Sequence, residues 1–215
     1  MDGPAGSGKS TTARLVAERL GYTYLDTGAM YRASGLLVSR AGLAFEDGRE
    51  LADLISSHSI DVREGVTLLD GEDVSTLIRS PEMSEAASMV SSFGPVRREM
   101  VRLQRRIAAR RDTVAEGRDM GTVVFPRADL KVFVTADVVQ RGLRRLGQEG
   151  RKRVEERLPE VVAALLRRDR RDRERADSPL RRAPDAWFLD TTSMSVREQV
   201  EAVVGLYRSC AGGGA

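Results

Sequence analysis

Four residues near the start of the chain carry the plainest chemistry. Gly3, Gly8, Lys9 and Ser10, within "DGPAGSGKST", satisfy G-x-x-x-x-G-K-[ST], a spacing at which glycines let successive backbone N–H groups converge on phosphate oxygens. Lys9 would reach the β- and γ-phosphates of a nucleoside triphosphate, and the hydroxyl of Ser10 suits Mg2+. The run Ser10 to Leu20 reads as a helix whose N-terminal dipole favours an anion. A glycine-rich turn that only starts a helix would have no packing use for a lysine at this spacing. The motif points to phosphate binding and leaves open kinases, GTPases, motor ATPases and plain nucleotide-binding modules.

Two further clusters suit anions. In "LLRRDRRDRERADSPL", Arg168, Asp172 and Arg175 stand at i, i+4 and i+7, hence on one helical face. Two guanidinium forks there could hold phosphates while the carboxylate accepts from ribose hydroxyls. A solvated, salt-bridged helix gives the same pattern, and a nucleic-acid patch is disfavoured by the interleaved acids and the lack of stacking aromatics. In "AEGRDMGTVVFP", Glu116, Arg118 and Asp119 stand just past a predicted strand. Arg118 could clamp a phosphate and Asp119 could accept from an exocyclic amine such as cytosine N4, or the two could pair with each other across a loop. "LDTGAMYR" adds Tyr31 and Arg32 at a helix start.

The elements that must position these residues alternate between helix and strand over 215 residues, which predicts a parallel sheet covered by helices in one α/β domain. "YTYLDTG" reads as a strand through Leu25 with a loop at residues 26–28, and Met30 to Ala41 as the next helix. "ELADLISSH" is helical, and the Asp-Gly and Glu-Gly pairs in "IDVREGVTLLDGEDVSTLI" predict an antiparallel hairpin insert. Helices are predicted at 84–91 and 95–111, strands at "DTVAEG", "LKVFVTA" and "AWFLDTT", a long charged helical zone at 138–175 and a closing helix at 195–209. A buried strand normally precedes a phosphate-gripping loop. Only Met1 and Asp2 stand there, so the first strand is expected to be largely missing and the chain reads as short at its N-terminus.

Composition narrows the partners. The formal charge is +3, and all basic residues except Lys9, Lys131 and Lys152 are arginine. Arginine grips phosphate bidentately, although a GC-rich genome would produce the same bias. Cys210 is the single cysteine, so no disulfide can form within the chain, and it and the lone histidine, His58, are not site candidates. With no leader pattern and no long apolar run, a cytoplasmic protein without membrane or nucleic-acid partners is expected.

Together these stretches resemble the nucleoside monophosphate kinases, specifically the bacterial-type cytidylate kinases. The likeness runs in family order from "DGPAGSGKST" through "YLDTGAMYR", "IRSPE", "AASMVSSFGPVR" and "EGRDMGTVVFP" to "RDRRDRERADSPL" and "FLDTT". It implies an α/β P-loop kinase core with a parallel sheet, an insert at about residues 28–97 that binds the nucleoside monophosphate, and a helical lid at about 141–168. The implied reaction moves the γ-phosphoryl of ATP onto CMP or dCMP with Mg2+, in a monomer. A UMP-preferring or other small-molecule kinase on the same core is the alternative. A GTPase is disfavoured because the chain contains no asparagine for an Asn-Lys-x-Asp guanine reader.

The resemblance also implies residue roles. Gly3, Pro4, Ala5, Gly6, Ser7, Gly8, Lys9, Ser10 and Thr11 would hold ATP, helped by Arg141, Arg144 and Arg145 of the lid. Ser88, Arg97 and Asp119 match the readers of the cytosine edge. Tyr31 stands beside Arg32, and Arg32, Arg118 and Arg175 match the arginines that hold the acceptor phosphate. Arg168 and Asp172 match residues near the sugar and the transferring group, and Lys9, Arg118 and Arg168 are the expected catalytic residues. Two departures stand out. Ala5 replaces a loop serine of some members, and Glu116 replaces the Asp that others carry near the Mg2+ water shell.

Overall fold

The structure is a computed structural model and describes residues 1–63, 65–148, 150 and 154–212. Residues 149 and 151–153 of the expected lid lie outside the described residues. In chain order, α1 spans Lys9–Leu20, β1 Thr23–Asp26, α2 Thr27–Arg40 and α3 Gly48–Ser57. A hairpin unit follows with β2 at Ile60–Arg63, β3 at Val66–Leu69 and β4 at Glu72–Asp73, then α4 at Pro81–Val90 and α5 at Gly94–Ala108. The remaining elements are β5 (Thr113–Glu116), β6 (Val132–Thr135), α6 (Val138–Gln148), α7 (Val154–Glu174), β7 (Trp187–Asp190) and α8 (Val196–Gly212). The chain divides into two units, Met1–Leu20 with Glu116–Ala215, and Gly21–Ala115.

The first unit is a mixed α/β assembly. β6 and β7 pair in parallel from Val132 opposite Trp187 to Thr135 opposite Asp190. Met1 and Asp2, too short for a strand, still form pairings on two sides. Asp2 makes parallel bridges with Gly117 and with Phe133. Its N–H donates to Val132 O at 2.9 Å, its carbonyl accepts from Val134 N at 2.7 Å, and Met1 O accepts from Gly117 N at 2.9 Å. The place of the expected first strand is thus held by two residues. Ala13, Val16 and Ala17 of α1 and Val200, Val203 and Val204 of α8 are buried, as are Val132 and Val134 of β6.

The second unit carries β1 paired with β5 and the three-stranded sheet β2-β3-β4. The predicted insert is antiparallel: β2 pairs with β3, Ile60 facing Leu69 and Arg63 facing Val66, and β3 pairs with β4, Leu69 facing Glu72 across a turn at Asp70 (φ 50°) and Gly71, as the Asp-Gly pair predicts. The expected loop at 26–28 is instead the start of α2. Asp26 accepts from Ala29 N at 2.8 Å and so caps the helix one turn earlier than apolar spacing indicates. Ser80 caps α4, with Pro81 in its first turn. In α5, Val96, Met100, Leu103 and Ile107 recur on one buried face. Among the described residues no helix is long and apolar enough to cross a membrane.

Helix α2 approaches α4 so closely at Gly35 that a Cβ there would lie 2.7 Å from Ala86 Cβ and 3.2 Å from the Ala86 carbonyl carbon. The obstacle is largely backbone and cannot swing aside. Gly35→Ala is expected to lower unfolding free energy by about 1–3 kcal/mol, the scale of overpacking a core. Denaturant melts would check this, and an unchanged midpoint would show that the two helices separate at no cost.

Candidate active site

The glycine loop lies in the first unit, and side chains hold its carbonyls. Lys9 Nζ donates to Pro4 O at 3.2 Å, Arg141 Nη1 to Ala5 O at 3.1 Å, and Thr191 Oγ1 to Ser7 O at 2.8 Å. A trans peptide points its C=O and the next N–H in opposite directions, so these three bonds turn the amides of Ala5, Gly6 and Gly8 away from the protein donors. Amides turned in this way are the donors that a phosphate-binding loop needs. Gly3 is required by close approach, because a Cβ there would sit 2.0 Å from Val134 O, with φ at 152°.

Glu116, the last residue of β5 and only 4 % exposed, joins the motif's two reactive side chains. Its Oε1 accepts from Ser10 Oγ at 2.6 Å, and its Oε2 lies 3.6 Å from Lys9 Nζ. Lys9 is buried beside it, whereas Ser10 is exposed. Thr11 is exposed on the first turn of α1. A carboxylate oxygen and a hydroxyl oxygen this close form a hard donor set that fits a divalent cation held mainly by phosphate and water. Among the described residues no group of three or more His, Cys, Asp or Glu side chains could ligate a metal unaided.

The two charged clusters meet around Asp172. Arg118 Nε donates to Asp172 Oδ2 at 2.7 Å, with both side chains largely buried. Asp119 instead faces Arg175, whose Nη2 is 4.0 Å from Asp119 Oδ1. Arg118 and Asp119 therefore pair outside their own loop and not with each other. Arg168 adds its charge at Asp172. Burial by itself would raise the Asp172 carboxyl. The guanidiniums of Arg118, Arg168 and Arg175 outweigh it and hold the group below the usual carboxylate range. The stabilisation this brings is present above the unfolded carboxyl value of about 3.9 and is lost only as pH falls through the lower folded value. Burial also lowers Arg118, and the charges of Asp172, Glu116 and Asp169, with the Asp172 hydrogen bond, leave it above the ordinary arginine value.

Several supporting groups have no signature in the glycine motif. Asp169 of α7 holds Arg141 at 2.7 Å, and Arg141 Nε also donates to Ala136 O at 3.1 Å. Arg144 donates to Thr191 Oγ1 at 3.0 Å and to Thr191 O at 2.5 Å. The guanidiniums of Arg141 and Arg144 are thus engaged with protein acceptors. Gln199 of α8 accepts from Thr12 Oγ1 at 2.7 Å. Thr191, Gln199, Asp169 and the carboxylate of Asp2 were not singled out from the sequence. "FLDTT" reads there as a strand end, and nothing in spacing marks its first threonine as the partner of a loop 184 residues away.

In the second unit, Arg32 Nη2 donates to Asp26 Oδ2 at 3.2 Å, so the helix cap also holds the arginine. The Arg97 guanidinium lies 5.6 Å from the centre of the Tyr31 ring, a cation–π distance, and its Nη1 donates to Ser91 O at 3.2 Å. Tyr31 and Arg97 are buried, whereas Ser88, one turn from the C-terminal end of α4, is half-buried. His58 caps α3, and its Nδ1 meets Asp70 Oδ2 at 2.6 Å.

Comparison with known proteins supplies an independent line. A family model described as cytidylate kinase matches residues 1–209. A cytidylate kinase of Solibacter usitatus is 46 % identical over 213 residues, covering 97 % of this chain and 91 % of that protein. One of Chlorobaculum tepidum is 45 % identical, covering 96 % and 90 %. A bifunctional pantoate ligase/cytidylate kinase of a Synechococcus strain is 44 % identical over 97 % of this chain and 40 % of its own length.

Thr191 is fully buried and serves the loop and Arg144 through one hydroxyl. Thr191→Val keeps the shape and leaves Ser7 O and Arg144 each without that partner, so stability should fall by about 1–3 kcal/mol, whereas Thr191→Ser should remain near the parent. Urea unfolding of the three proteins checks this. Equal midpoints would show that the hydroxyl is not a support of the loop.

Proposed function

Because this chain belongs to the cytidylate kinase family, we propose that it transfers the γ-phosphoryl group of ATP to CMP or dCMP, giving ADP and CDP or dCDP. The observation that carries the reading is buried Glu116 holding both Lys9 and the exposed Ser10 of the glycine loop in one ion-pair and hydrogen-bond cluster. That cluster is the apparatus for a triphosphate and its cation. The UMP-preferring alternative is not favoured by the relatives.

The acceptor oxygen of CMP is already anionic near neutral pH, so the reaction needs no general base. The chain's part is to align the two phosphates and to place cations where charge develops in transfer. Lys9 serves the β- and γ-phosphates, and the amides of the glycine loop hold the same groups, with Pro4, Ala5, Ser7 and Thr11 completing the ATP site. Kinases of this type commonly require a divalent metal. We assign Mg2+ to Ser10 Oγ, with Glu116 beside it, where the ion would neutralise phosphate charge when bound. Arg118, Arg32 and Arg175 hold the acceptor phosphate, and Arg168 and Asp172 serve the sugar and the transferring group. Ser88, Arg97 and Asp119 read cytosine, Asp119 accepting from N4 and Arg97 donating toward N3 and O2. Tyr31 supports Arg97, whose guanidinium lies over its ring. Arg141, Arg144 and Arg145 belong to a lid at about 141–168 that shields the phosphates from water, and residues of about 28–97 form the monophosphate-binding insert. The enzyme acts as a cytoplasmic monomer on free nucleotides.

A coupled assay of ADP release across CMP, dCMP, UMP, AMP and GMP tests the assignment, and a rate with UMP or AMP above that with CMP would overturn it. Lys9→Ala is expected to lower turnover roughly a thousandfold, the scale of one lost transition-state charge contact, with the Kd for CMP little changed. Turnover within tenfold of the parent would remove Lys9 from the mechanism. Asp119→Ala should cut the preference for CMP over UMP by about 1–3 kcal/mol, the worth of one specific base-edge contact. An unchanged preference would show that Asp119 does not read the base.

A further inference from the structure

Asp2 is 6 % exposed, and its side chain takes no part in the mechanism above. Its two carboxylate oxygens accept from successive amides, Oδ1 from Met120 N at 2.7 Å and Oδ2 from Gly121 N at 2.8 Å. Those amides open a single π-helical turn at Met120–Val124, and Asp119 stands immediately before it. The peptide plane between Asp119 and Met120 is thereby held at both edges. Its N–H goes to Asp2, and its carbonyl accepts from Val123 N at 2.9 Å and Val124 N at 3.1 Å. A peptide group fixed at both its donor and its acceptor cannot rotate without breaking bonds. The direction in which Asp119 leaves its Cα is therefore set jointly by Asp2 and the amides of the π turn.

The backbone of the same residue is fixed independently. Asp2 bridges Gly117 on one side and Phe133 on the other, and Gly3 of the phosphate loop follows it directly. One residue thus sets the root of the loop proposed to hold the donor and, through its carboxylate, the aim of the side chain proposed to read the acceptor base. We infer that Asp2 is a positioning residue for base selection: it acts through Asp119 and touches neither nucleotide. The inference rests on the assignment of Asp119 as the cytosine reader.

Asp2→Asn is close in shape but replaces one accepting oxygen with an NH2 group, so one of the two amides then faces a donor. Loss of one buried charge-assisted bond should let the Asp119 peptide shift, and the ratio of kcat/KM for CMP to that for UMP should fall roughly three- to tenfold. A ratio measured on one preparation does not depend on how much of it is folded. If Asp2→Asn gives no soluble protein, Asp2→Ser, which is smaller and can satisfy one amide through water, is read in the same way. A purely structural Asp2 would lower activity toward CMP and UMP by a common factor and leave the ratio at the parent value, which would overturn the inference. Asp119→Ala separates the two ideas. If it collapses the ratio while Asp2→Asn leaves it intact, only the role of Asp2 fails. If Asp119→Ala leaves the ratio unchanged, the base-reading assignment itself fails. The double variant Asp2→Asn/Asp119→Ala should show the same ratio as Asp119→Ala alone, because Asp2 has nothing left to aim, and a further drop would mean that Asp2 acts by another route.

Discussion

A loop that offers N–H groups to phosphate must first dispose of its carbonyls. Each carbonyl that faced the ligand would repel it, and each one buried without a donor would cost roughly 1–3 kcal/mol. Here the carbonyls of Pro4, Ala5 and Ser7 go to Lys9, Arg141 and Thr191. Much of the first unit can be read as support for those donors. Asp169 steadies Arg141, the carbonyl of Thr135 at the end of β6 accepts from the Thr191 N–H, the carbonyl of Ala136 just after it accepts from Arg141, and Glu116 lies beside Lys9. The glycines permit the loop's shape, but the choice among permitted shapes comes from side chains that hydrogen-bond to its backbone.

The same donors are cations, and that creates the second demand. A site for a nucleoside triphosphate and a nucleoside monophosphate gathers guanidinium and ammonium groups that repel one another until substrate arrives. Glu116, Asp169 and Asp172, each no more than 7 % exposed, supply the balancing charge within the fold. Removing one partner of such a buried pair is costly, about 3–5 kcal/mol, because the other is left desolvated and alone. These carboxylates therefore have a structural necessity apart from any contact with nucleotide, and residue type alone does not separate the two roles. The depressed carboxyl of Asp172 reflects this balance, since three arginines overcome a burial penalty that would otherwise favour its neutral form.

What was legible in the sequence follows from range. The helix after the glycine loop and the Asp-Gly hairpin are short-range patterns set by periodicity and turn chemistry, and both are found in the structure. The expected helical face is found in part: Arg168 and Asp172 lie on α7, whereas Arg175 stands just past its end at Glu174, its charge still felt at Asp172. The α2 start was displaced because a cap outweighs apolar spacing at a helix end: Asp26 takes the Ala29 amide, and the expected loop becomes helix. The π turn at Met120–Val124 had no signal, because its geometry depends on amides held by a carboxylate 118 residues earlier in the chain. Thr191 and Gln199 were missed for the same reason. Their residue types are ordinary, and their importance lies in a partner that only the fold brings near. The resemblance to cytidylate kinases named the arginines, but it could not say which of them the protein itself would hold.

That last distinction explains the near-absence of lysine. A guanidinium can be anchored by one edge while its other nitrogens serve elsewhere. Arg118 is held through Nε by Asp172, Arg175 through Nε by Ser178 O at 2.7 Å, and Arg141 through Nε by Ala136 O. In each case the anchoring bond consumes the nitrogen nearest the backbone and leaves the terminal pair unspent by that bond. An ammonium has a single nitrogen, so its anchor and its ligand must share one point. Lys131 shows the consequence: its Nζ is committed to Pro126 O and Asp185. Lys9 is held as lightly as its chemistry allows: a compact, swivelling point charge that donates to Pro4 O and lies beside Glu116. The arginine-rich composition noted at the outset need not be explained by genome bias alone, because several of those arginines bind the protein through more than one nitrogen: Arg118 reaches Gly117 O as well as Asp172, and Arg141 reaches Ala5 O and Asp169 as well as Ala136.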